Sequence, residues 1–368
     1  MSASPLAPTR PAPTGDHHDA ASTPRRGTHA AVEAARRGGA EHGGLLVALG
    51  VLFAFLSFSA ENFLTTGNLL DILRTAAFTG IIAFGMTLVI VAAEIDISVG
   101  SAIGFASALV GVMAVDEGWP LGLAVLFVVV AGTAIGAAAG AIRARFGVPS
   151  FIVTLALFSA LRGLALLITD AIPVSIESAS FSTWGSGDWL GIPIPAILLL
   201  VTFVVFWLIA NRTTFGRSVY AIGGNPEAAY LSGIPVRRVR VALFAITGCL
   251  AAISGVLQTA ELGAGNPNIG TGVEFAVISA VIVGGASLYG GRGTMFGTLL
   301  GVLFIGVLSN GMVLMGVDPY AQNVAHGLIV LVAVLISALR TGDRAGGRSL
   351  LGLRGRPALH PTTDRGAT

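Results

Sequence analysis

About ten stretches of roughly 16–22 consecutive apolar residues recur along this chain, each long enough to cross the hydrocarbon core of a bilayer as a helix. They fall near residues 44–60, 76–93, 97–115, 121–142, 150–169, 190–210, 241–260, 273–289, 295–316 and 321–339. Lipid offers no partner to a bare N–H or C=O, so a chain built this way is confined to self-satisfied helices. The expectation is an all-α, polytopic membrane protein of about ten spans, falling to eight if a short pair is re-entrant. Composition agrees: 11% of residues are charged, against about 25% in soluble domains.

Arginine placement orients the spans. All 21 basic residues are arginine. With the N-terminal tail inside and sides alternating, every arginine except Arg74 and Arg162 falls on internal segments. The external segments carry Glu61, Asp71, Asp116, Glu117, Asp170, Glu177, Asp188, Glu261 and Asp318 instead. Positive charge stays on the cytoplasmic side during insertion, so both termini are expected there. Residues 1–43, rich in Pro, Ala, Thr, Gly and Arg, are expected to form a disordered cytoplasmic tail rather than a signal peptide, and 340–368 a second tail. The membrane-spanning body is 44–339.

Several function classes drop out. A P-loop needs a lysine on the phosphates, and this chain has none, so it carries no Walker-type nucleotide site. The single Cys249 permits no intramolecular disulfide. His326 has no histidine or cysteine neighbour in sequence, so no metal site is assigned, and no nucleic-acid partner is expected.

Glycines at four-residue spacing let helices approach closely in lipid: Gly132, Gly136 and Gly140; Gly293, Gly297 and Gly301; and Gly100 with Gly104. Two breaks interrupt the apolar pattern. One, Glu94-Ile95-Asp96-Ile97-Ser98-Val99-Gly100, sets two carboxylates between apolar runs. The other runs from Gly284 and Gly285 through Gly290 and Gly291 to Thr294. The lead-ins Val89-Ile90-Val91 and Val281-Ile282-Val283 suggest a faint internal duplication, as in many transporters. Glu94 and Asp96 suit the start of the third span as helix caps, with a gate or inter-helix tether as the functional alternative. Glu274 reads as a solvated cap at the outer end of its span. Arg162 lies within a span and needs a partner, either a bundle carbonyl or an external acid. Gln258, Asn310, Gln322 and Asn323 are uncharged candidates for lining a polar path, although each alone is more often an inter-helix hydrogen bond.

The longest internal loop, 211–240, reads NRTTFGRSVYAIGGNPEAAYLSGIPVRRVR. A loop of this length and arginine content suits a docking surface for a soluble partner that supplies energy.

Four separated motifs in order carry a family resemblance: EIDISVGS from Glu94, GVPSFIVTLALFSALRG from Gly147, the loop from Thr213, and GGASLYGGRGTMFG from Gly284. The chain from about 60 to 339 resembles the permease subunits of bacterial ABC importers for ribose, xylose and related sugars. That resemblance implies a second permease copy or paralogue, cytoplasmic ATPase subunits that use ATP in place of any cofactor here, and an extracytoplasmic sugar-binding protein. It implies a bacterial cell-membrane location. It maps a short coupling helix onto Glu227, Ala228, Ala229 and Gly233, with Arg217, Arg237 and Arg238 flanking. Pro226, Glu227 and Gly233 suit the start, first turn and end of such a helix. Where the family usually has two glycines before the Ile-Asp stretch, this chain has Ala93 and Glu94. The implied activity is ATP-driven import of a monosaccharide or similar small polyol. The rival expectation is an ion-coupled carrier with Glu94, Asp96 or Glu274 as proton site, although none of the three is expected at mid-bilayer.

Overall fold

The structure is a computed structural model that describes residues 26–318, 320–329, 331, 332 and 335, with side chains from His42 onward. The expected tail at 340–368, the far end of the span expected at 321–339, and residues 1–25 lie outside these. Met1–Glu41 forms one unit and His42–Thr368 another. In the first, residues 26–41 are helical. The Ala-, Glu- and Arg-rich run there has high intrinsic helix propensity.

In chain order the elements are α1 (Arg26–Ser59), α2 (Thr66–Val91), α3 (Val99–Gly111) continued by a π-helical turn (Val112–Asp116), α4 (Leu121–Phe146) and α5 (Ser150–Ile168). Then come β1 (Val174–Ser175), α6 (Ala179–Ser186), β2 (Asp188–Trp189), β3 (Ile192–Pro193), α7 (Ile194–Arg212), α8 (Thr214–Gly224) and α9 (Pro226–Leu231). The last are α10 (Val236–Leu262), β4 (Ala264–Gly265), α11 (Val273–Val283) and α12 (Met295–Leu314), followed by helical residues 320–329. Among the described residues, 8 helices are long and apolar enough to cross a membrane. They match eight of the expected spans. The ninth, expected at 273–289, is cut to the 11 residues of α11, which covers only about half a bilayer core. Sheet is confined to two-residue ladders, with Val174 opposite Gly265 and Asp188 opposite Pro193.

α2 is the hub. It is apolar on every face and buried continuously from Gly80 to Val91, as expected of a helix enclosed by others. Thr65 caps it by accepting the Asn68 N–H. Polar stitches fix its neighbours: Thr87 Oγ1 meets Thr298 Oγ1 of α12 at 2.6 Å, and Ser254 of α10 donates to the Phe78 carbonyl.

Two segments run through the bundle without helical hydrogen bonds. After α2 the chain extends from Glu94 to Ile97, and α3 then starts beside the middle of α10. From there α3 lies against the second half of α10 alone, with Ile103 at Gly255 and Ser107 bonded to Thr259. The freed amides are satisfied from α5: Ile95 N–H donates to Ser150 Oγ (3.1 Å) and Ile97 N–H to Thr154 Oγ1 (3.2 Å). The second segment, 263–272, follows α10 and turns back alongside α3. Its Gly265 lies at Gly111 and its Gly270 at Gly100. Here Ser107 Oγ accepts the Asn266 N–H, and Arg162 Nη1 donates to the carbonyls of Pro267 (2.6 Å) and Ile269 (3.2 Å). The arginine's partner is therefore a bundle carbonyl, as one of the two expectations had it. Unpaired backbone in this setting costs several kcal/mol per group, so these side chains are conditions for the breaks to exist.

The glycine ladders mark the closest approaches. A side chain at Gly132 would meet the Gly248 carbonyl, at Gly136 the Phe244 carbonyl and at Gly140 the Val241 backbone, so α4 lies directly on α10. Gly297 and Gly301 likewise admit the Gly284 and Ala280 carbonyls of α11. We expect Gly136→Leu to cost about 1–3 kcal/mol of stability by overpacking, read as a lowered Tm in detergent. Gly163→Ala on α5, where a methyl meets nothing within 4 Å, is expected to leave Tm unchanged.

Candidate functional site

The loop between α7 and α10 folds into two short helices. Thr213 starts α8 by accepting the Gly216 N–H at 3.1 Å. Asn225 starts α9 by accepting the N–H groups of Glu227 and Ala228, each at 3.0 Å, an N-cap the sequence reading left unmentioned. Pro226 occupies the first turn, and Gly233 ends the helix with φ 84°, a left-handed conformation glycine adopts without strain. Ala229 is buried, while Glu227, Ala228, Tyr230 and Leu231 are exposed. Arg217, Arg237 and Arg238 are exposed too and, among the described residues, make no ion pair. α9 thus presents an aromatic and an aliphatic side chain beside a carboxylate, with exposed arginines on the neighbouring helices α8 and α10.

Beneath α9, α8 touches the end of α2, just ahead of the first break, and the second break at once. Gly223 packs so tightly that any side chain would strike the Val91 carbonyl and the Gly291 amide. The Gly291 N–H itself donates to Val91 O at 2.8 Å. Three residues back, the Tyr220 hydroxyl donates to Gly293 O at 2.7 Å. Burial pushes the Tyr220 phenol up, which keeps it protonated as a donor. The glycine-rich loop closes on itself through Ser287 N–H to Arg292 O and Gly290 N–H to Ser287 O. Gly285, Gly290 and Gly291 all sit at positive φ, and Gly284 abuts the Gly297 carbonyl. Both breaks and α8 therefore form one cluster.

Glu94 is 2% exposed and joins two helices rather than capping α3. Its carboxylate pairs with Arg143 Nε of α4 at 2.9 Å and with Arg240 Nε of α10 at 2.7 Å. That matches the tether alternative and corrects the cap. Ala93 before it has φ 59°, the left-handed region where the family's usual glycine fits without strain. Asp96 is also buried. It accepts from Ser98 N–H and Ser98 Oγ through Oδ1, and from Thr247 Oγ1 through Oδ2 at 2.7 Å. Thr247 lies near the middle of α10, so Asp96 sits deep in the bundle, which corrects its expected position at a membrane face. Ser98 is the N-cap residue of α3.

Glu274 is a further correction. It stands in the first turn of α11, as expected, but is 2% exposed and pressed against Gly100. The segment 263–272 carries the start of α11 inward instead of leaving it in solvent. The candidate path residues separate. Asn310 exchanges two hydrogen bonds with Asn68, at 3.1 and 2.8 Å; Gln258 donates to Ser254; and Gln322 donates to the Val317 carbonyl. These three act as inter-residue ties. Asn323 borders a cavity beside Thr271 and Gly272. Sequence reasoning missed 263–272 as a segment that turns back against α3. Its run of glycines with Asn266, Pro267 and Asn268 was the visible signal, and it reads equally well as an external loop.

With this geometry in hand, comparisons place the chain among known proteins. The family model described as "Branched-chain amino acid transport system / permease component" matches residues 68–339. The chain is 47% identical over 298 residues to the probable ABC transporter permease protein YphD of Escherichia coli (strain K12), covering 81% of this chain and 90% of that one. It is 41% identical over 295 residues to the ribose import permease protein RbsC of Bacillus subtilis (strain 168), covering 80% and 91%. It is 34% identical over 352 residues to the xylose transport system permease protein XylH of Escherichia coli (strain K12), covering 79% and 90%.

Replacing Glu94 leaves two guanidinium groups facing each other without their counter-charge. Breaking a buried pair from one side costs about 3–5 kcal/mol, so Glu94→Gln is expected to lower Tm sharply in detergent. An unchanged melting curve would mean the carboxylate carries no structural role.

Proposed function

We infer that this chain, which belongs to the branched-chain amino acid transport system / permease component family, is the multi-pass membrane permease of an ABC importer that carries a monosaccharide or similar small polyol into the cytoplasm. The ribose and xylose permeases among its relatives support the sugar class. Its partners are cytoplasmic ATPase subunits, a second permease copy or paralogue, and an extracytoplasmic sugar-binding protein. In this reading α9 faces the cytoplasm and seats its exposed Glu227, Tyr230 and Leu231 in the ATPase, while Arg217, Arg237 and Arg238 pair with acidic residues around that seat or with anionic lipid.

One observation carries the mechanism: α8 contacts the end of α2 and the loop after α11 through a single glycine, Gly223. Closure of the ATPase pair around ATP displaces α9. Since α8 packs against both breaks without slack, that displacement reaches Val91 and Gly291 together. α3 and the half-length α11 follow, because each is joined to a break by only a few residues. Irregular backbone is where a helix bundle bends at least cost, since no helical hydrogen bonds need to be broken there. Glu94, held by Arg143 and Arg240, limits how far α4 and α10 part during the cycle.

The ion-coupled alternative gains no support. Glu94 is spent on two arginines and Asp96 on Ser98 and Thr247, and the relatives are named as ABC permeases.

The test uses the complete importer in proteoliposomes. Glu227→Arg and Gly223→Val are each expected to cut sugar uptake at least about tenfold, equivalent to ~1.4 kcal/mol, while the ATPase still hydrolyses ATP. Uptake at the wild-type rate in both variants would refute the coupling route, and uptake without any ATPase would refute the importer assignment.

A further inference from the structure

Bordered by α2, the start of α11, α12 and residues 320–329 is a half-open cavity of ≈160 Å³. Its polar lining comes from four separate segments: Thr75 and Thr79 of α2, Thr271 ahead of α11, Ser309 of α12, and Asn323 with His326. Ala276, Val302 and Ile305 supply an apolar wall. Among the described residues, no arginine, aspartate or glutamate lines it.

The hydrogen-bonding state of this lining sets it apart. Elsewhere threonines within helices spend their hydroxyls on the carbonyl four residues back, as Thr87, Thr133, Thr169, Thr202 and Thr259 do. Among the described residues, neither Thr75 nor Thr79 does so, and the Asn323 amide has no protein partner. Thr75, Thr271 and Asn323 are exposed and Thr79 is half-buried, so hydroxyl and amide groups from different helices converge on one space and stay open to whatever occupies it. The space has room for several ordered waters or a small polar molecule.

The lining also selects by charge. Hydroxyl and amide groups both donate and accept, which suits a ring bearing hydroxyls on every edge. A free amino acid, the cargo class in the family's description, would bring a carboxylate and an ammonium into a space with no counter-charge. We propose that this cavity is a transit subsite for a neutral polyol, in which Thr75, Thr79 and Asn323 exchange hydrogen bonds with sugar hydroxyls. The proposal rests on the importer reading above and specifies where the cargo passes. It also ties the subsite to the coupling cluster. One wall is the start of α11, and the other end of that same 11-residue helix is Gly284, the first residue of the loop that α8 touches.

The experiment reconstitutes permease, ATPase and binding protein in proteoliposomes, with D-ribose, D-xylose, L-arabinose and D-glucose as probes. For whichever sugar the wild type carries, removing one hydrogen-bonding group predicts a roughly fivefold fall in uptake per ATP hydrolysed. That fall is expected for Thr79→Val and for Asn323→Leu. Thr79→Ser, which keeps the hydroxyl, is expected to recover most of the uptake, a rescue that a purely structural role for the γ-methyl would not give. Uptake by Thr79→Val and Asn323→Leu within twofold of wild type overturns the subsite while leaving the importer assignment standing. Should Asn323→Leu fail to assemble, the nearly isosteric Thr79→Val decides alone. Failure of the wild type to carry any of the four sugars overturns both the subsite and the sugar assignment.

Discussion

The structure depends on how backbone polar groups are satisfied where the chain crosses the bundle without a helix. Inside a helix bundle in lipid, each free N–H or C=O must find a fixed partner. Ser150 and Thr154 serve the segment from Glu94 to Ile97. Ser107 and Arg162 serve the segment 263–272. These four side chains make it possible for α3 and α11 to begin inside the bundle. Both helices are joined to the preceding helix through irregular backbone rather than through continuous helix.

Coupling follows from the same constraint. Close backbone approach at Gly223, Gly290 and Gly291 removes the compliance that side chains would introduce between α8 and the breaks. In the proposed mechanism, a surface helix pushed by a partner moves buried backbone directly. This chain also differs from its resembled family's usual glycine pair at the first break. Ala93 takes up the left-handed conformation itself, and Glu94 adds an ionic clasp between α4 and α10. A residue in that conformation persists only where its surroundings over-determine it, and the two arginines supply that restraint.

Much of this was legible in the sequence, for identifiable reasons. Span-length apolar runs report directly on helices because lipid permits little else, and eight of them match. Pro226 and Gly233 bracket α9 closely, since helix starts and stops are local chemistry. The glycine ladders at 132–140 and 293–301 marked close approaches correctly. What failed was depth. Asn266, Pro267 and Gly270 look the same whether a loop stays in water or dives inward, because the deciding partner is Arg162, more than a hundred residues away in sequence. Glu274 was misplaced with that loop. Asp96 was misplaced because nothing local announces its bond to Thr247. The expected span at 273–289 likewise merged α11 with the start of the glycine loop, since Ala286 and Leu288 keep hydropathy high past the true helix end.

The central claim is that α8 links the two breaks into one moving unit. Amide hydrogen–deuterium exchange on the complete importer in lipid nanodiscs, with and without ATP, tests it most directly. The account predicts that residues 91–98 and 284–293 change protection together with α9 when nucleotide binds. Protection changes confined to α9, with both breaks unaltered, would contradict it.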